Sequence, residues 1–356
     1  MSYWYASFEL NGFPTWFPKL FETYPKIVHD FLMQEVRYEL SIENPETETN
    51  YILSDLSWSG QWAWGQLSPS VYDLLKITEP QNLSNLNRLV KIIQGSNMPD
   101  ELIEELASQK CRSLRKQEHV ARWFAVWTGV APDIAIAAIK KRIGKISDPT
   151  DQTLFAMTYV TNLLGDRNRI GDGTYARQAF KTPKYLKSLY LLMHKYIRRK
   201  EDIDRFKTGA YTPELRDYAQ DARNGLFNLL KQIPGKEAFL ALMDIAKKHP
   251  EEASRPWILH HAKTKAEQDG DIAPWQPLQV RDFHENLEHT PSNHRELAEL
   301  AILRLLDLKD DLEQGDSSIA GILQNISQKN PTCASSLGVS YVRKLTDGIL
   351  YHRKRN

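Results

Sequence analysis

The stretch 208–234, TGAYTPELRDYAQDARNGLFNLLKQIP, decides the fold class of this chain. Its apolar residues recur at steps of three and four, a spacing that puts them on one stripe of an α-helix. Thr212 followed by Pro213 is typical of a helix start, because threonine caps the first turn and proline suits the first helical position. The stripe consists of Leu215, Tyr218, Ala219, Ala222, Leu226, Leu229, Leu230 and Ile233.

Charged and amide residues fill the other side of this predicted helix. Arg216, Asp217, Gln220, Asp221 and Arg223 fall largely opposite the apolar stripe. We expect them at the surface, where they form hydrogen bonds between neighbouring helices. We also expect Arg216 or Arg223 to pair with an acidic residue of an adjoining repeat. This interpretation gives the face a scaffolding role and no catalytic one.

The same spacing recurs in 183–197 and near 298–312, and no sustained period-2 alternation occurs. A capping residue before proline predicts four helix starts. These are Ser68-Pro69, Asp148-Pro149, Thr182-Pro183 and Thr212-Pro213. The chain is therefore predicted to be all-α, with stacked helical pairs in a HEAT-like or irregular α-solenoid. A compact irregular α-domain is the alternative.

Bulk composition is that of an ordinary globular protein. The 356 residues are 41% hydrophobic and 26% charged, and the formal net charge of +1 gives no overall attraction to polyanions. Cys111 and Cys333 are too few for a disulfide framework, which suits a reducing cytoplasm. The N-terminal residues do not resemble a signal peptide, and no apolar run reaches the ~18 residues that a membrane span needs. We expect a soluble cytoplasmic protein.

Composition changes most clearly at QDGDIAPWQP, residues 268–277. Glycine, aspartate and proline at this density indicate a loop between elements. We predict a helical-repeat array over 1–267, a boundary loop over 268–277, and a smaller C-terminal helical segment over 278–356. That last segment is either a short module or the truncated start of a further domain.

Motifs for catalysis are missing from the sequence. There is no P-loop, no G-x-S-x-G and no H-E-x-x-H. Cys111 lies beside Arg112 and Arg115, which would lower its thiol pKa if it were exposed, but a half-buried structural thiol is the simpler interpretation. We expect no catalytic residue, no cofactor and no metal site in this chain. A cryptic enzyme would need a site assembled from distant residues.

Three tryptophans lie within WSGQWAW, residues 58–64. Trp58, Trp62 and Trp64 either plug the core between helices or form an exposed patch that binds a protein partner. Burial in the core is the commoner outcome for indoles at a helix junction. They are nevertheless the best candidates for partner binding that the sequence offers.

A basic cluster, HKYIRRK, spans residues 194–200. Lys195, Arg198, Arg199 and Lys200 are candidates for contacts with nucleic-acid phosphates. Cations at a helix end also complement the helix dipole, so a structural role is open. Acidic residues over 201–204 dilute the positive field. A second basic cluster occurs at 353–355, near the end of the chain.

Four stretches together resemble the C-terminal helical-repeat region of large bacterial NACHT-type NTPases, members of the STAND class linked to anti-phage defence. They are ELNGFPTWFPKL (9–20), the segment 208–246, the segment 255–283, and RLLDLKDDLEQGD (304–316). The resemblance implies an ATP-binding NACHT module upstream, repeats that act as sensor and scaffold, and a nuclease-like domain farther downstream. No E-x-K triplet follows residue 316, so no catalytic residue of the family maps onto this chain.

The sequence therefore predicts a non-enzymatic helical-repeat scaffold or sensor that takes part in protein–protein interaction within a bacterial NACHT-like defence protein. Its expected partner is another protein, or an NTPase domain that this chain lacks. The alternative is a stand-alone nucleic-acid-binding helical protein that uses the basic clusters at 194–200 and 353–355. A membrane is not expected as a partner.

Overall fold

α-Helices form the regular structure of the residues that the computed structural model describes, which are 12–45, 51–165, 177–204 and 212–268. Within these ranges there are thirteen α-helices and no β-strand, which confirms the all-α prediction. Single-turn 3-10 helices occur at Arg199–Glu201 and Glu252–Ser254. The α-helices are α1 (Phe17–Thr23), α2 (Pro25–Ser41), α3 (Ile52–Ser59), α4 (Gln61–Ile77), α5 (Leu83–Gly95), α6 (Asp100–Ser113), α7 (Gln117–Val130), α8 (Pro132–Ile143), α9 (Pro149–Leu164), α10 (Pro183–Tyr196), α11 (Leu215–Gln232), α12 (Lys236–Lys248) and α13 (Arg255–Gln268).

Two predicted helix starts are confirmed. α9 begins at Pro149, and the Asp148 side chain accepts a hydrogen bond from the Thr150 N–H at 2.6 Å. That bond satisfies one of the free N–H groups of the first turn. α10 begins at Pro183 directly after Thr182, although the Thr182 hydroxyl makes no capping bond. Proline at the first helical position is the feature that these two starts share.

The start of α11 is two residues later than Thr212-Pro213 predicts. The helix begins at Leu215, and its cap is a reciprocal pair. The Glu214 side chain accepts from the backbone of Asp217, while the Asp217 carboxylate accepts from the Glu214 N–H at 3.1 Å. This capping box satisfies donors at the helix terminus, which explains why the helix begins there.

The predicted start at Ser68-Pro69 is wrong, because Pro69 lies inside α4. Proline has no N–H, so the Gly65 carbonyl four residues earlier loses its helical donor. The Ser68 hydroxyl lies 3.4 Å from that carbonyl oxygen and donates to it. Pro69 is also exposed, so its ring does not displace a core contact. A serine that replaces the missing donor thus lets the helix continue through the proline.

The chain divides into two compact units. The first is Met1–Ile233 with Lys248–Pro250, and the second is Pro234–Lys247 with Glu251–Asn356. This division lies inside the segment predicted to be one array over 1–267. The predicted boundary loop and the segment 278–356 lie beyond residue 268, outside the described residues, and stay predictions.

Helices of the first unit contact their next-but-one neighbours in succession. α5 packs on α7, α7 packs on α9, and α9 packs on α11. α10 packs on both α8 and α11. α6 and α8 both pack on α7. Such contacts are typical of stacked helical pairs. The specific HEAT-like or solenoid arrangement stays a prediction.

Helix α7 lies at the centre of this packing. Most of its residues are buried, on all sides of the helix, which is the pattern of an interior helix. Its Gly129 allows close approach of another segment: the Gly129 carbonyl accepts from the Ala179 N–H at 2.9 Å. A Cβ atom at residue 129 would lie 2.7 Å from the Arg177 carbonyl oxygen. The segment before α10 can therefore cross α7 only at a glycine.

The described part of the second unit contains α12 and α13. α12 buries Ala238, Phe239, Leu242 and Ile245, which follow one another at helical spacing. In α13 the ring of Trp257 packs edge-on against that of His261 at a centroid distance of 4.5 Å. Among the described residues of both units, none of the helices combines the length and the hydropathy that crossing a membrane requires.

Candidate functional site

The three candidate tryptophans occupy different environments. Trp64 is 2% exposed, and its indole N–H donates to the Leu56 carbonyl at 2.7 Å. Trp62 is half-buried in a cluster of rings with centroid distances of 5.4 to 5.9 Å, those of Phe13, Phe17 and Phe21. Trp58 is 70% exposed. A partner-binding patch that includes Trp64 is therefore wrong, because that indole belongs to the core.

Trp58 shares one side of α3 with two other residues. Tyr51 precedes it by seven positions, and Asp55 lies between them, so the helical period puts all three on one face. Tyr51 is 72% exposed. Partial burial raises the pKa of Asp55 to about 6, and the nearby charge of Glu39 contributes a smaller part of this increase. We call Tyr51, Asp55 and Trp58 the α3 face.

A buried carboxylate fixes the start of α3. Glu39 of α2 is 6% exposed and accepts from the backbone N–H groups of Tyr51, Ile52 and Leu53 at 2.8, 2.8 and 2.9 Å. These N–H groups are free at a helix N-terminus, and the helix dipole favours an anion there. Glu39 therefore fixes the α3 face to α2. The sequence pattern did not reveal this residue.

The polar side of α11 is not a surface face, which corrects the prediction. Asp217, Gln220 and Arg223 are 1%, 6% and 1% exposed. The segment that follows α10 covers them: the Ile203 N–H donates to the Gln220 side chain at 3.0 Å. Backbone groups of that segment need partners, and the polar side chains of α11 supply them. A buried polar side of a helix cannot be told from a solvated one by periodicity.

Arg216 and Arg223 both pair with an acidic residue, as predicted, while the assignment of that residue to an adjoining repeat stays a prediction. Arg223 contacts both carboxylate oxygens of Asp202, at 2.5 and 3.1 Å, and donates to the Ile197 carbonyl at 2.8 Å. Arg216 donates to Asp202 at 3.2 Å and to the Arg198 carbonyl at 2.6 Å. Both arginines thus hold the segment after α10 against α11, through fork-shaped charge-assisted bonds.

An unpaired histidine lies beside this ion pair. His194 is 3% exposed, and neither of its ring nitrogens has a hydrogen-bond partner. Its ring packs on those of Tyr190 and His249 at 4.3 and 4.5 Å. Burial is the main reason that the pKa of His194 is lowered to about 2. The charges of Arg223, His249 and Arg199 contribute smaller decreases. The imidazole is therefore neutral at physiological pH.

A second buried ionic group joins the α4–α5 loop to two helices. Glu79 accepts from Trp123 at 2.9 Å, lies 3.1 Å from the His119 Nδ1 atom, and pairs with Lys110 at 3.0 Å. These partners outweigh the desolvation of the carboxyl group and lower the pKa of Glu79. Cys111 is buried and its thiol pKa is raised by desolvation, so it is a structural thiol.

The four predicted nucleic-acid contacts are all exposed. Lys195, Arg198, Arg199 and Lys200 lie at the end of α10 and in the following turn. Arg198 is 3.8 Å from Glu201, a long and half-exposed ion pair. The basic cluster at 353–355 lies outside the described residues.

These residues belong to a larger row of cations, which we call the basic edge. It comprises 112–118 at the end of α6, 140–151 at the end of α8, and 195–204 at the end of α10. The three segments contain eleven Lys and Arg against six Asp and Glu, an excess of five positive charges. The whole chain has a net charge of only +1, so positive charge is concentrated here.

Side-chain contacts place these segments along one edge. The Arg142 guanidinium at the end of α8 donates to Gln117 at the start of α7, at 3.5 Å. The Thr153 hydroxyl near the start of α9 donates to the Tyr196 carbonyl at the end of α10, at 3.2 Å. The ends of α8 and α10 therefore lie beside the starts of α7 and α9. Because the segments are about 30 to 50 residues apart in the chain, the sequence showed only the cluster at 194–200.

The other ends of the same helices form the paired edge. Arg177, before α10, donates to the carbonyls of Ser96 and Met98 at 2.9 and 2.8 Å, and lies 3.1 Å from Asp100 at the start of α6. Lys184 of α10 lies 2.8 Å from Asp133 of α8. On this edge, cations from one segment therefore meet carboxylates or carbonyls from another.

Metal-ligand groups of three or more His, Cys, Asp or Glu are absent from the described part of the chain. Comparisons of the whole chain with protein-family models, with curated proteins and with solved structures gave no match. The resemblance to the helical repeats of NACHT-type NTPases stays a prediction that rests on the quoted sequence stretches.

Proposed function

We propose that this chain is a non-enzymatic helical scaffold or sensor that binds a protein partner through the α3 face. The observation that carries the proposal is Trp58, whose indole is 70% exposed while Trp64 on the next helix is buried. Large exposed aromatic side chains are the residues that most often supply binding energy in protein interfaces. Tyr51, on the same face, is exposed to a similar extent.

The α3 face is held rigidly, which favours binding because little conformational entropy remains to be lost. Glu39 caps the start of α3, and the Trp64 indole donates to the Leu56 carbonyl near its end. Two helices, α2 and α4, thus fix both ends of a short helix. The exposed rings project from a supported element and not from a free loop.

The chemistry of the α3 face fits a cationic side chain of the partner. Tyr51 and Trp58 lie about one helical turn before and after Asp55, so a lysine or arginine could form an ion pair and cation–π contacts together. The pKa of Asp55, about 6, adds a pH dependence. A partner cation favours the ionised carboxylate, so we expect affinity to fall as the pH drops below about 6.

We further propose that the module works in the cytoplasm with an NTPase of the NACHT type. The resemblance of four sequence stretches supports this, and the succession of helix contacts in the first unit is compatible with a repeat array. This proposal is tested by tagging the gene at its native locus and measuring the intact mass of the protein product. A product well above the mass of the 356-residue chain, carrying an NTPase domain, supports the proposal. A product of this chain's mass, with no associated NTPase, contradicts it.

Site-specific photocrosslinking tests the α3 face. p-Benzoylphenylalanine is incorporated at position 58 or, as a control, at position 134, where Ile134 of α8 is 56% exposed. Irradiation in native cells should give one discrete adduct at position 58 and none at 134. Asp55→Asn should reduce the yield of that adduct severalfold. Identical adduct patterns at both positions, or none at 58, would overturn the proposal.

A further inference from the structure

We propose that the basic edge binds the phosphate backbone of a nucleic-acid duplex. This surface is separate from the α3 face, and the inference does not depend on it. The three segments present exposed cations in a row, and the described structure assigns no ion pair to Arg115, Lys140, Lys141 or Lys145. A line of unneutralised cations attracts a regularly charged rod such as a duplex.

The helix dipole accounts for only some of these cations. The helix dipole favours positive charge within the last turn, which explains residues such as Lys140 and Lys195. Arg115, Lys145 and Lys200 lie beyond the helix ends, where this stabilisation has largely faded. The buried Lys110 and Arg223 are paired with Glu79 and Asp202, whereas the exposed Arg115, Lys140, Lys141 and Lys145 are available to a ligand.

The spacing of the row matches a duplex. α8 packs on α10, and α6 and α8 both pack on α7. With neighbouring axes about 8–10 Å apart, the row extends on the order of 20 Å. Phosphates repeat every ~3.4 Å along the axis for each strand, so this length covers about six phosphates of one strand. Contacts to phosphates carry no sequence information, so binding should not depend on base sequence.

Two other anionic surfaces fit the edge less well. Membrane-binding surfaces combine cations with exposed apolar side chains, and no exposed large hydrophobic residue of the described chain lies within 112–118, 140–151 or 195–204. Single strands are held by aromatic stacking platforms, and the same observation argues against them. An acidic protein remains a distinct outcome of the test.

The test is fluorescence anisotropy with the full chain and labelled 24-base-pair DNA and RNA duplexes of unrelated sequences. The excess of five positive charges corresponds to about five phosphate contacts, which predict a slope of about −4.5 for a plot of log affinity against log salt concentration. The triple variant Lys140→Gln, Lys141→Gln, Lys145→Gln should lower the affinity roughly 10- to 100-fold and flatten the slope by about 2.7. The matched control Lys19→Gln, Lys26→Gln, Lys184→Gln removes the same charge away from the edge and should change the affinity less than twofold. Circular dichroism of both variants is the control that checks whether they are folded.

Preference for the DNA or the RNA duplex identifies which form is bound, and binding to either supports the proposal. Equal losses in the two triple variants would show attraction to net charge alone and overturn it. No binding to either duplex at 50 mM salt would also overturn it. Tighter binding to polyglutamate or to phosphatidylserine vesicles than to duplexes would assign the edge to an acidic protein or a membrane instead.

Discussion

The two edges of the first unit contain the same types of charged residue and use them differently. On the paired edge, Arg177 and Lys184 each contact a carboxylate of another segment. On the basic edge, Lys140, Lys141 and Lys145 are exposed and have no such contact among the described residues. Charge pairing is thus a property of position in this fold and not of composition.

Two buried cations near the basic edge do form ion pairs. Arg223 and Lys110 are buried, and each has a carboxylate within hydrogen-bond distance, Asp202 and Glu79 respectively. A buried charge without a partner costs several kcal/mol, whereas an exposed cation is solvated by water. The fold therefore provides these two buried cations with carboxylates and leaves the exposed Lys140, Lys141 and Lys145 for solvent or a ligand.

The largest expected effect comes from removing the carboxylate of a buried pair. Asp202→Asn leaves Arg223 buried without a counter-charge, so we expect a loss of about 3–5 kcal/mol of unfolding free energy. Urea denaturation followed by circular dichroism measures it. Asp73→Asn, at an exposed position of α4, is the control and should have little effect. Similar losses in the two variants would show that the buried pair is not special.

Acid should produce the next largest effect, through His194. The pKa of this histidine falls from 6.5 to about 2 on folding, so below pH 6.5 the unfolded chain binds a proton that the folded chain does not. Stability is therefore lost as the pH falls, by about 2 kcal/mol between pH 7 and pH 5. His194→Phe should remove this loss in urea denaturation at the two pH values. Tyr190→Phe changes the same pocket without removing a titrating imidazole, so it should retain the loss; if it did not, His194 would not be the cause.

The smallest effect is expected for the exposed lysines of the basic edge. The triple variant Lys140→Gln, Lys141→Gln, Lys145→Gln should shift the melting temperature by less than about 2 °C, because surface charges without partners contribute little to stability. Differential scanning calorimetry measures the shift. A decrease of 5 °C or more would mean that the fold uses these lysines, and the contrast between exposed and buried cations would fail.

Local sequence rules predicted the fold class and part of the helix boundaries. Apolar spacing identified α10 and α11, and proline after a capping residue located Pro149 and Pro183. The same rule failed at Pro69, because the Ser68 hydroxyl supplies the donor that proline lacks. A Ser-Pro dipeptide is therefore compatible with a helix start and with a helix interior, because the serine hydroxyl can cap a first turn or bond to the carbonyl three residues earlier.

The candidate sites were harder to predict, since they depend on contacts between distant segments. Periodicity marked Arg223 as a surface residue, and only the segment after α10 shows why it is buried. Trp58 and Trp64 are six residues apart and have opposite exposures, which follows from the packing of α3 on α4. The basic edge combines three segments whose proximity arises only when alternate helices end side by side.

Gly129 has a consequence for how this sequence can drift over evolutionary time. The apolar positions of α7 can exchange leucine, isoleucine and valine at modest cost, because neighbouring side chains readjust. Residue 129 has no such freedom, since even the methyl group of alanine would meet the backbone oxygen of Arg177 at 2.7 Å. Any diverged homologue that keeps the crossing at α7 should therefore have glycine in this column of an alignment. A profile built to find distant relatives would gain more from this position than from the better-known apolar ones.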